Sequence, residues 1–116
     1  MDLEAYKQRA AVLKAMAHPS RLAIIEALAE GERCVCELQQ LVGSDMSTVS
    51  KHLALMKQTG LVRDRKQGLK VFYALEIQCV HGFLACIDSV LQSRSNACSR
   101  AIRSTAPEMQ PADPAI

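Results

Sequence analysis

The chain has 116 residues, 49% of them hydrophobic, and a net charge of +2, which suits one small domain with an aliphatic core. No apolar run approaches the roughly 20 residues of a membrane-spanning helix, and the polar N-terminus lacks the apolar stretch of a signal peptide. We therefore expect a cytoplasmic protein with no membrane partner. Five cysteines in that compartment indicate metal or redox chemistry and argue against a disulfide framework.

The first part of the chain has apolar side chains spaced three and four residues apart, as is typical of amphipathic helices. The spacing predicts helices over about 3–17 and 20–29. Pro19 separates them, because proline disfavours helical backbone at the preceding residue and fits the first turn of the helix that follows. Gly31 is expected to end the second helix.

Two further short helices are predicted over about 35–42 and 45–58, joined by Gly43 and Ser44. Ser44 is a suitable N-cap, and Asp45 suits the positive end of the second of these helices. Two short helices, a tight glycine turn and a polar-faced second helix predict a helix-turn-helix.

Alternating, β-branched and aromatic residues predict two strands over about 61–65 and 69–75, joined by a turn in which Gly68 supplies a positive φ. A last helix follows over about 77–93, with one apolar stripe along it. A hairpin after a helix-turn-helix is a wing. The predicted fold is therefore mainly α with a small β-hairpin (α+β), a winged helix-turn-helix.

The second helix of the helix-turn-helix has small polar residues and a cation on one face. These side chains are short enough for the helix axis to enter the major groove of DNA. The wing adds four cations and a tyrosine hydroxyl, which would reach the adjacent backbone or minor groove. Each residue alone is as well explained by solvation, but the combination predicts binding to duplex DNA. The predicted contacts are Ser47, Thr48, Ser50, Lys51 and His52 on the helix, and Arg63, Arg65, Lys66, Lys70 and Tyr73 on the wing. For His52, DNA contact and packing both remain open.

Cys34 and Cys36 supply two soft ligands, which suit As(III), Sb(III), Cd(II), Pb(II) or Cu(I). Residues two apart point about 200° away from each other in a helix, but to the same face of an extended segment. Both sulfurs can therefore hold one ion only if the start of the third helix is extended or becomes so. Binding would then distort the helix-turn-helix. The alternative, that they are small buried hydrophobic residues, fits poorly with the neighbouring Glu32, Arg33 and Glu37.

Four stretches resemble the ArsR/SmtB family of metal-responsive repressors, in the family's order, over about residues 5–92. They are 16–25 (MAHPSRLAII), 34–38 (CVCEL), 47–53 (STVSKHL) and 60–68 (GLVRDRKQG). The resemblance implies a homodimeric repressor whose first and last helices build the dimer, and which leaves its operator when a metal or metalloid binds. Residues 1–98 are accordingly predicted to form the DNA-binding and dimerisation domain. Residues 104–116 carry three of the four prolines, which predicts a disordered C-terminal tail over 99–116.

The chain departs from the family at the thiol site. Arsenic-responsive members often have a third Cys three residues after the second, where this chain has Gln39. Cys98 is the preferred candidate for a third thiolate, and two thiolates with a solvent or small-thiol ligand are the alternative. Cys79 and Cys86 lie near the apolar stripe of the last helix, which favours packing. That helix lacks the paired ligands of the family's zinc or nickel site, and the N-terminal segment lacks the cysteines of its four-sulfur Cd/Pb sensors.

Together these features predict a homodimeric repressor that releases operator DNA when As(III) or Sb(III) binds Cys34 and Cys36. No organic cofactor is expected. The chain has no catalytic side-chain arrangement and no phosphate-binding glycine loop, so it is not expected to be an enzyme. The alternatives are a Cd/Pb-type sensor, a cysteine redox or persulfide sensor of the same fold, and a winged-helix protein that binds a protein partner without an inducer.

Overall fold

The structure, a computed structural model, describes residues 1–103, with side chains through residue 96. In chain order the elements are α1 (Leu3–Met16), α2 (Pro19–Ala29), β1 (Arg33–Cys34), α3 (Val35–Val42), α4 (Met46–Gln58), β2 (Val62–Gln67), β3 (Lys70–Leu75) and α5 (Cys79–Arg103). The predicted winged helix-turn-helix is confirmed. All predicted helices and strands are present, and the end of α5 differs most from the prediction.

The N-terminal helices begin at side-chain caps. Asp2 accepts a hydrogen bond from the backbone N–H of Ala5 at 3.3 Å and opens α1. His18 accepts from the backbone N–H of Ser20 at 3.1 Å through its Nδ1 and opens α2, with Pro19 as the first helical residue. The proline break predicted between the two helices is therefore also the start signal of the second.

The turn of the helix-turn-helix depends on one glycine and two side-chain contacts. Gly43 has a φ of 78°, which ends α3 in the left-handed region. The amide Nε2 of Gln39 donates to the carbonyl of Ser44 at 2.9 Å across the turn. Asp45, and not Ser44 as predicted, is the N-cap of α4, because its carboxylate accepts from the backbone N–H of Thr48.

The wing is the predicted hairpin with an added third strand. β2 and β3 pair antiparallel about Gly68, whose φ of 63° matches the predicted turn. β1 pairs antiparallel with the other edge of β3, so the sheet order is β1-β3-β2. In this register Cys34 lies opposite Phe72. The sequence analysis did not predict β1, because two residues are too few to show an alternating pattern.

The core of the unit Met1–Gln78 is aliphatic, as the composition predicts. It is formed by residues of α2, α3, α4 and the wing strands, with the residue just before β2, that are at most 3% exposed. These residues are Ile24, Ile25, Leu28, Leu38, Val49, Leu53, Met56, Leu61, Val62 and Leu75. The inner face of α4 is thus fixed to the core, and its other face is left to solvent.

A second unit begins at Cys79 and contains α5. This helix starts two residues after the predicted position and continues to Arg103, whereas the sequence analysis ended it at residue 93. Residues 99–103, assigned to the tail by prediction, belong to the helix, and the rest of the predicted tail lies outside the described residues. Across residues 1–103, no helix is both long and apolar enough to cross a membrane.

Candidate functional site

The outer face of α4, the predicted DNA-recognition helix, carries most of the helix residues that were predicted to contact DNA. Ser47, Ser50 and Lys51 are exposed and lie within one turn of each other, opposite the buried Val49 and Leu53. Lys51 has no carboxylate within ion-pair distance among the described side chains. This face therefore presents short hydroxyls and one unpaired cation, which is the arrangement that a DNA groove admits.

Thr48 has a structural role at the start of the same helix. Its Oγ1 donates to Asp45 Oδ1 at 2.6 Å, and its backbone N–H donates to the other carboxylate oxygen at 3.3 Å. The hydrogen bond from the Thr48 hydroxyl is the main reason why the pKa of Asp45 lies below its usual value. A DNA contact through Thr48 would compete with this cap.

His52 is half-buried and lies against His18, with ring centroids 4.5 Å apart. Burial lowers the pKa of His52 below its usual value, and the nearby His18 and Arg21 lower it further. The ring is thus neutral at neutral pH. It packs α4 against His18, the N-cap of α2. Of the two roles left open by the sequence, the geometry favours packing.

The four cations of the wing divide into two paired and two unpaired residues. Arg63 Nη1 lies 3.3 Å from a carboxylate oxygen of Glu76, and Arg65 Nε lies 2.9 Å from one of Glu32. The guanidinium of Arg65 also holds the pKa of Glu32 below its usual range. Lys66 and Lys70, nearest the turn, are exposed and without carboxylate partners among the described residues.

The two predicted metal ligands differ in backbone and exposure. Cys34 is buried, has extended backbone (φ −81°, ψ 161°) and is the N-cap residue of α3, whereas Cys36 is exposed within the first turn of the helix. Glu37 accepts a hydrogen bond from the backbone N–H of Cys34 at 3.1 Å. That bond is the main cause that lowers the pKa of Glu37 below its usual value, and the nearby Arg33 guanidinium lowers it further. Only Cys34 has the extended backbone that the spacing requires, since α3 begins at Val35 and Cys36 is already helical.

Both cysteines line one cavity of about 330 Å³ between α3, α4 and the wing. Five of its lining residues are predicted site residues, and the others are apolar. The lining consists of Cys34, Val35, Cys36, Ser50, Leu69, Lys70, Val71 and Tyr73. The fold therefore joins the predicted thiol site to residues of the recognition helix and wing that the sequence assigned to DNA contact.

The other three cysteines lie on α5 or its continuation in the chain. The Cys98 side chain lies outside the described side chains. Cys79 and Cys86 are exposed, contrary to the packing role predicted for them. Among the described side chains, no three His, Cys, Asp or Glu residues form a cluster that could hold a metal ion. Among the described residues the cavity thus offers two sulfurs, which fits a thiophilic ligand that completes its valence with another atom.

Sequence reasoning missed Glu32 and the cavity role of Tyr73. Glu32 stands 33 residues before its partner Arg65, so no local pattern links the two. Tyr73 was predicted to face DNA, yet it is half-buried, and burial raises the pKa of its hydroxyl. An alternating pattern around residue 73 shows only that its side chain lies on the face opposite Phe72.

Comparison with known proteins assigns the chain to a family. The family described as bacterial regulatory protein, arsR family, matches residues 18–64, from the start of α2 into β2. An HTH-type transcriptional regulator of Methanocaldococcus jannaschii is 34% identical over 89 residues, covering 76% of this chain and all of that protein. The chain belongs to the ArsR family. It is therefore a DNA-binding regulator of transcription and not an enzyme.

Other ArsR relatives match over part of their length. The arsenical resistance operon repressor of Escherichia coli K12 is 43% identical over 65 residues, and a cadmium resistance regulatory protein CadC homolog of Staphylococcus aureus is 40% identical over 68. They match over 55% and 58% of this chain respectively, and this chain spans 56% of the length of each.

Solved structures similar to this chain match most of its length. Reduced HlyU from Vibrio cholerae has a TM-score of 0.64 at 34% identity, over 71% of this chain and 86% of that one. A homodimeric winged helix-turn-helix DNA-binding domain from Mycobacterium bovis has a TM-score of 0.65 at 28% identity, over 93% and 96%. These neighbours agree with the winged fold.

For an ArsR regulator, the Glu32–Arg65 pair leads to a prediction about DNA affinity. Glu32→Gln is expected to raise the affinity for duplex DNA about threefold, because an exposed ion pair contributes little to stability while the freed guanidinium can meet a phosphate. Fluorescence anisotropy at low and high salt measures it, and the gain should shrink at high salt. Glu30→Gln, which removes one of the two carboxylate partners of Arg33, is the matched control. Unchanged affinity at low salt would contradict a role of Arg65 in DNA binding.

Proposed function

We propose that this ArsR-family protein is a homodimeric repressor that binds operator DNA and releases it when arsenite or antimonite binds Cys34 and Cys36. The observation that carries the proposal is the shared cavity. Its lining includes both thiols, Ser50 of the recognition helix and Tyr73 of the wing. A ligand held there touches the two elements that must keep a fixed arrangement to fit a DNA duplex.

Exposed apolar side chains support dimerisation. On α1, Leu3, Tyr6 and Leu13 are each more than half exposed, and on α5, Phe83 and Leu91 are also about half exposed. Large apolar side chains left at a helix surface are typical of an interface with another chain. The M. bovis neighbour is described as homodimeric. Two-fold symmetry would place two recognition helices about 34–36 Å apart, one turn of DNA.

The chemistry of the cysteines supports a thiophilic inducer. Thiolate sulfur is a soft ligand that prefers As(III) and Sb(III) to hard cations such as Mg²⁺. Ligation of Cys34 replaces its thiol proton beside the hydrogen bond that the Cys34 backbone N–H donates to Glu37. Because this bond lies at the first turn of α3, the inducer would alter the start of the helix-turn-helix directly. The E. coli relative is named as an arsenical resistance repressor.

The test is release from an operator duplex selected from a random-sequence pool. Wild-type protein is titrated in parallel with As(III), Sb(III), Cd(II), Pb(II) and Zn(II). We expect release by As(III) and Sb(III) at the lowest concentrations. Cys34→Ser and Cys36→Ser should each raise the required As(III) concentration by more than about 100-fold, since loss of a ligand exceeds the 10–100-fold cost of losing an outer-shell partner. Cys79→Ser, on α5, is the matched control. If Cys34→Ser and Cys36→Ser both release DNA at the As(III) concentration that the wild-type protein requires, the proposal is refuted.

A second candidate function is release of DNA on cysteine oxidation. The observation favouring it is that the described lining of the cavity holds two sulfurs, those of Cys34 and Cys36, whereas arsenic-responsive members of the family often have three. Cys34 and Cys98 would then form the oxidised species. Intact mass after peroxide, compared with intact mass after arsenite, separates the two. Loss of two hydrogens with DNA release, and no arsenic adduct, would favour oxidation.

A further inference from the structure

The cavity between α3, α4 and the wing contains polar groups that the two thiols alone do not explain. Beside Cys34 and Cys36 it is lined by Ser50 and Tyr73, one from the recognition helix and one from β3. Among the described residues, neither hydroxyl takes part in a hydrogen bond. Tyr73 is half-buried, and burial raises the pKa of its hydroxyl, so it remains a proton donor at neutral pH.

Arsenite that meets two thiols keeps one oxygen. Arsenous acid, As(OH)₃, condenses with each thiol by forming an As–S bond and releasing one water. With two cysteines the balance is As(OH)₃ + 2 RSH → As(SR)₂OH + 2 H₂O, with no change of oxidation state. The described lining of the cavity offers two sulfurs, and with two As–S bonds one As–OH group remains. A partly enclosed hydroxyl needs hydrogen-bond partners, or its desolvation opposes binding.

We propose that the hydroxyls of Ser50 and Tyr73 bind the hydroxyl group that arsenite retains after condensing with Cys34 and Cys36. This inference rests on the proposed function. It identifies the groups that take the place of the third thiolate, at whose family position this chain has Gln39. It also makes Ser50 a residue of two sites, because it lies on the exposed face of the recognition helix. The inducer then contacts that helix directly, and the hydroxyl pair favours trivalent ligands that retain an oxygen.

The test uses full-length Ser50→Ala, Tyr73→Phe and the double variant, with Ser47→Ala and Tyr6→Phe as matched controls. Ser47 lies on the same exposed face of α4, and Tyr6 is an exposed tyrosine of α1; neither lines the cavity. Two inducers are compared on the selected operator duplex, arsenite and phenylarsine oxide. Phenylarsine oxide condenses with two thiols as C₆H₅AsO + 2 RSH → C₆H₅As(SR)₂ + H₂O and keeps no oxygen on arsenic.

The double variant is expected to raise the arsenite concentration for half-release about tenfold relative to the phenylarsine oxide concentration, the effect of one or two hydrogen bonds. Both controls should keep the wild-type ratio between the two inducers, whatever their affinity for DNA. A double variant with the wild-type ratio would overturn the inference.

X-ray absorption at the arsenic edge gives a second readout that needs no DNA. Wild-type protein loaded with one arsenite per chain should show two sulfur neighbours and one oxygen. Three sulfur neighbours would overturn the inference and assign the third position to another cysteine. Failure of the proposed function looks different, because Cys34→Ser would then respond to both inducers as the wild type does.

Discussion

Replacing Leu53 by alanine is expected to lower the free energy of unfolding by about 2–5 kcal/mol, the range for large-to-small substitutions at fully buried positions. Leu53 is 0% exposed and lies one helical turn from Val49 and Met56, which are equally buried. The substitution removes side-chain contacts and leaves a cavity where α4 meets the core. Denaturant titration followed by circular dichroism measures the change, at one protein concentration because dimerisation would make stability concentration-dependent.

Leu55→Ala is the matched control for this prediction. Leu55 lies on the same helix, two residues later, and is 39% exposed. Its truncation deletes the same atoms at a position still open to water, so the loss should stay within about 1 kcal/mol. Equal losses for the two variants would contradict the assignment of Val49, Leu53 and Met56 to the inner face of α4. The prediction therefore tests which side of the recognition helix is free to meet DNA.

The parts of the fold set by local sequence could be predicted closely. Helix starts follow from caps and proline, and the two turns follow from Gly43 and Gly68, whose positive φ angles are local properties. The end predicted for α5, residue 93, was wrong for a related reason. Apolar spacing fades after Leu91, but residues 83–106 contain neither Gly nor Pro, so nothing in the backbone chemistry stops the helix at residue 93.

What could not be predicted depends on pairing between distant residues. β1 exists because Arg33 and Cys34 meet the free edge of β3, almost 40 residues later in the chain. The same pairing brings the thiol site to the wing. Ser50 and Tyr73 were predicted as DNA contacts, each for a sound local reason, and only the tertiary fold shows that they line the cysteine cavity. Local patterns identified the residue types, whereas their shared site is a property of topology.

Lys51→Ala is expected to weaken operator binding by about 10–100-fold at moderate salt. Lys51 is exposed on α4 beside Ser50 and has no ion-pair partner among the described residues. In a homodimer the substitution removes two cations from the interface. If each meets a phosphate, the slope of log K against log salt should fall by about 2, because one phosphate contact contributes about 0.9. Anisotropy titrations at several salt concentrations measure affinity and slope together.

Lys57→Ala separates this role from a general loss of positive charge. Lys57 lies on the same helix, but its Nζ is 3.1 Å from a carboxylate oxygen of Asp64, so it is already neutralised within the chain. Its substitution removes the same formal charge and should leave the salt slope unchanged.

A loss for Lys51→Ala that is uniform across operator sequences indicates a phosphate contact, and a loss confined to some sequences indicates a base contact. Equal slopes for the two variants would show that the exposed face of α4 is not the DNA-reading face, because net charge alone would then account for binding.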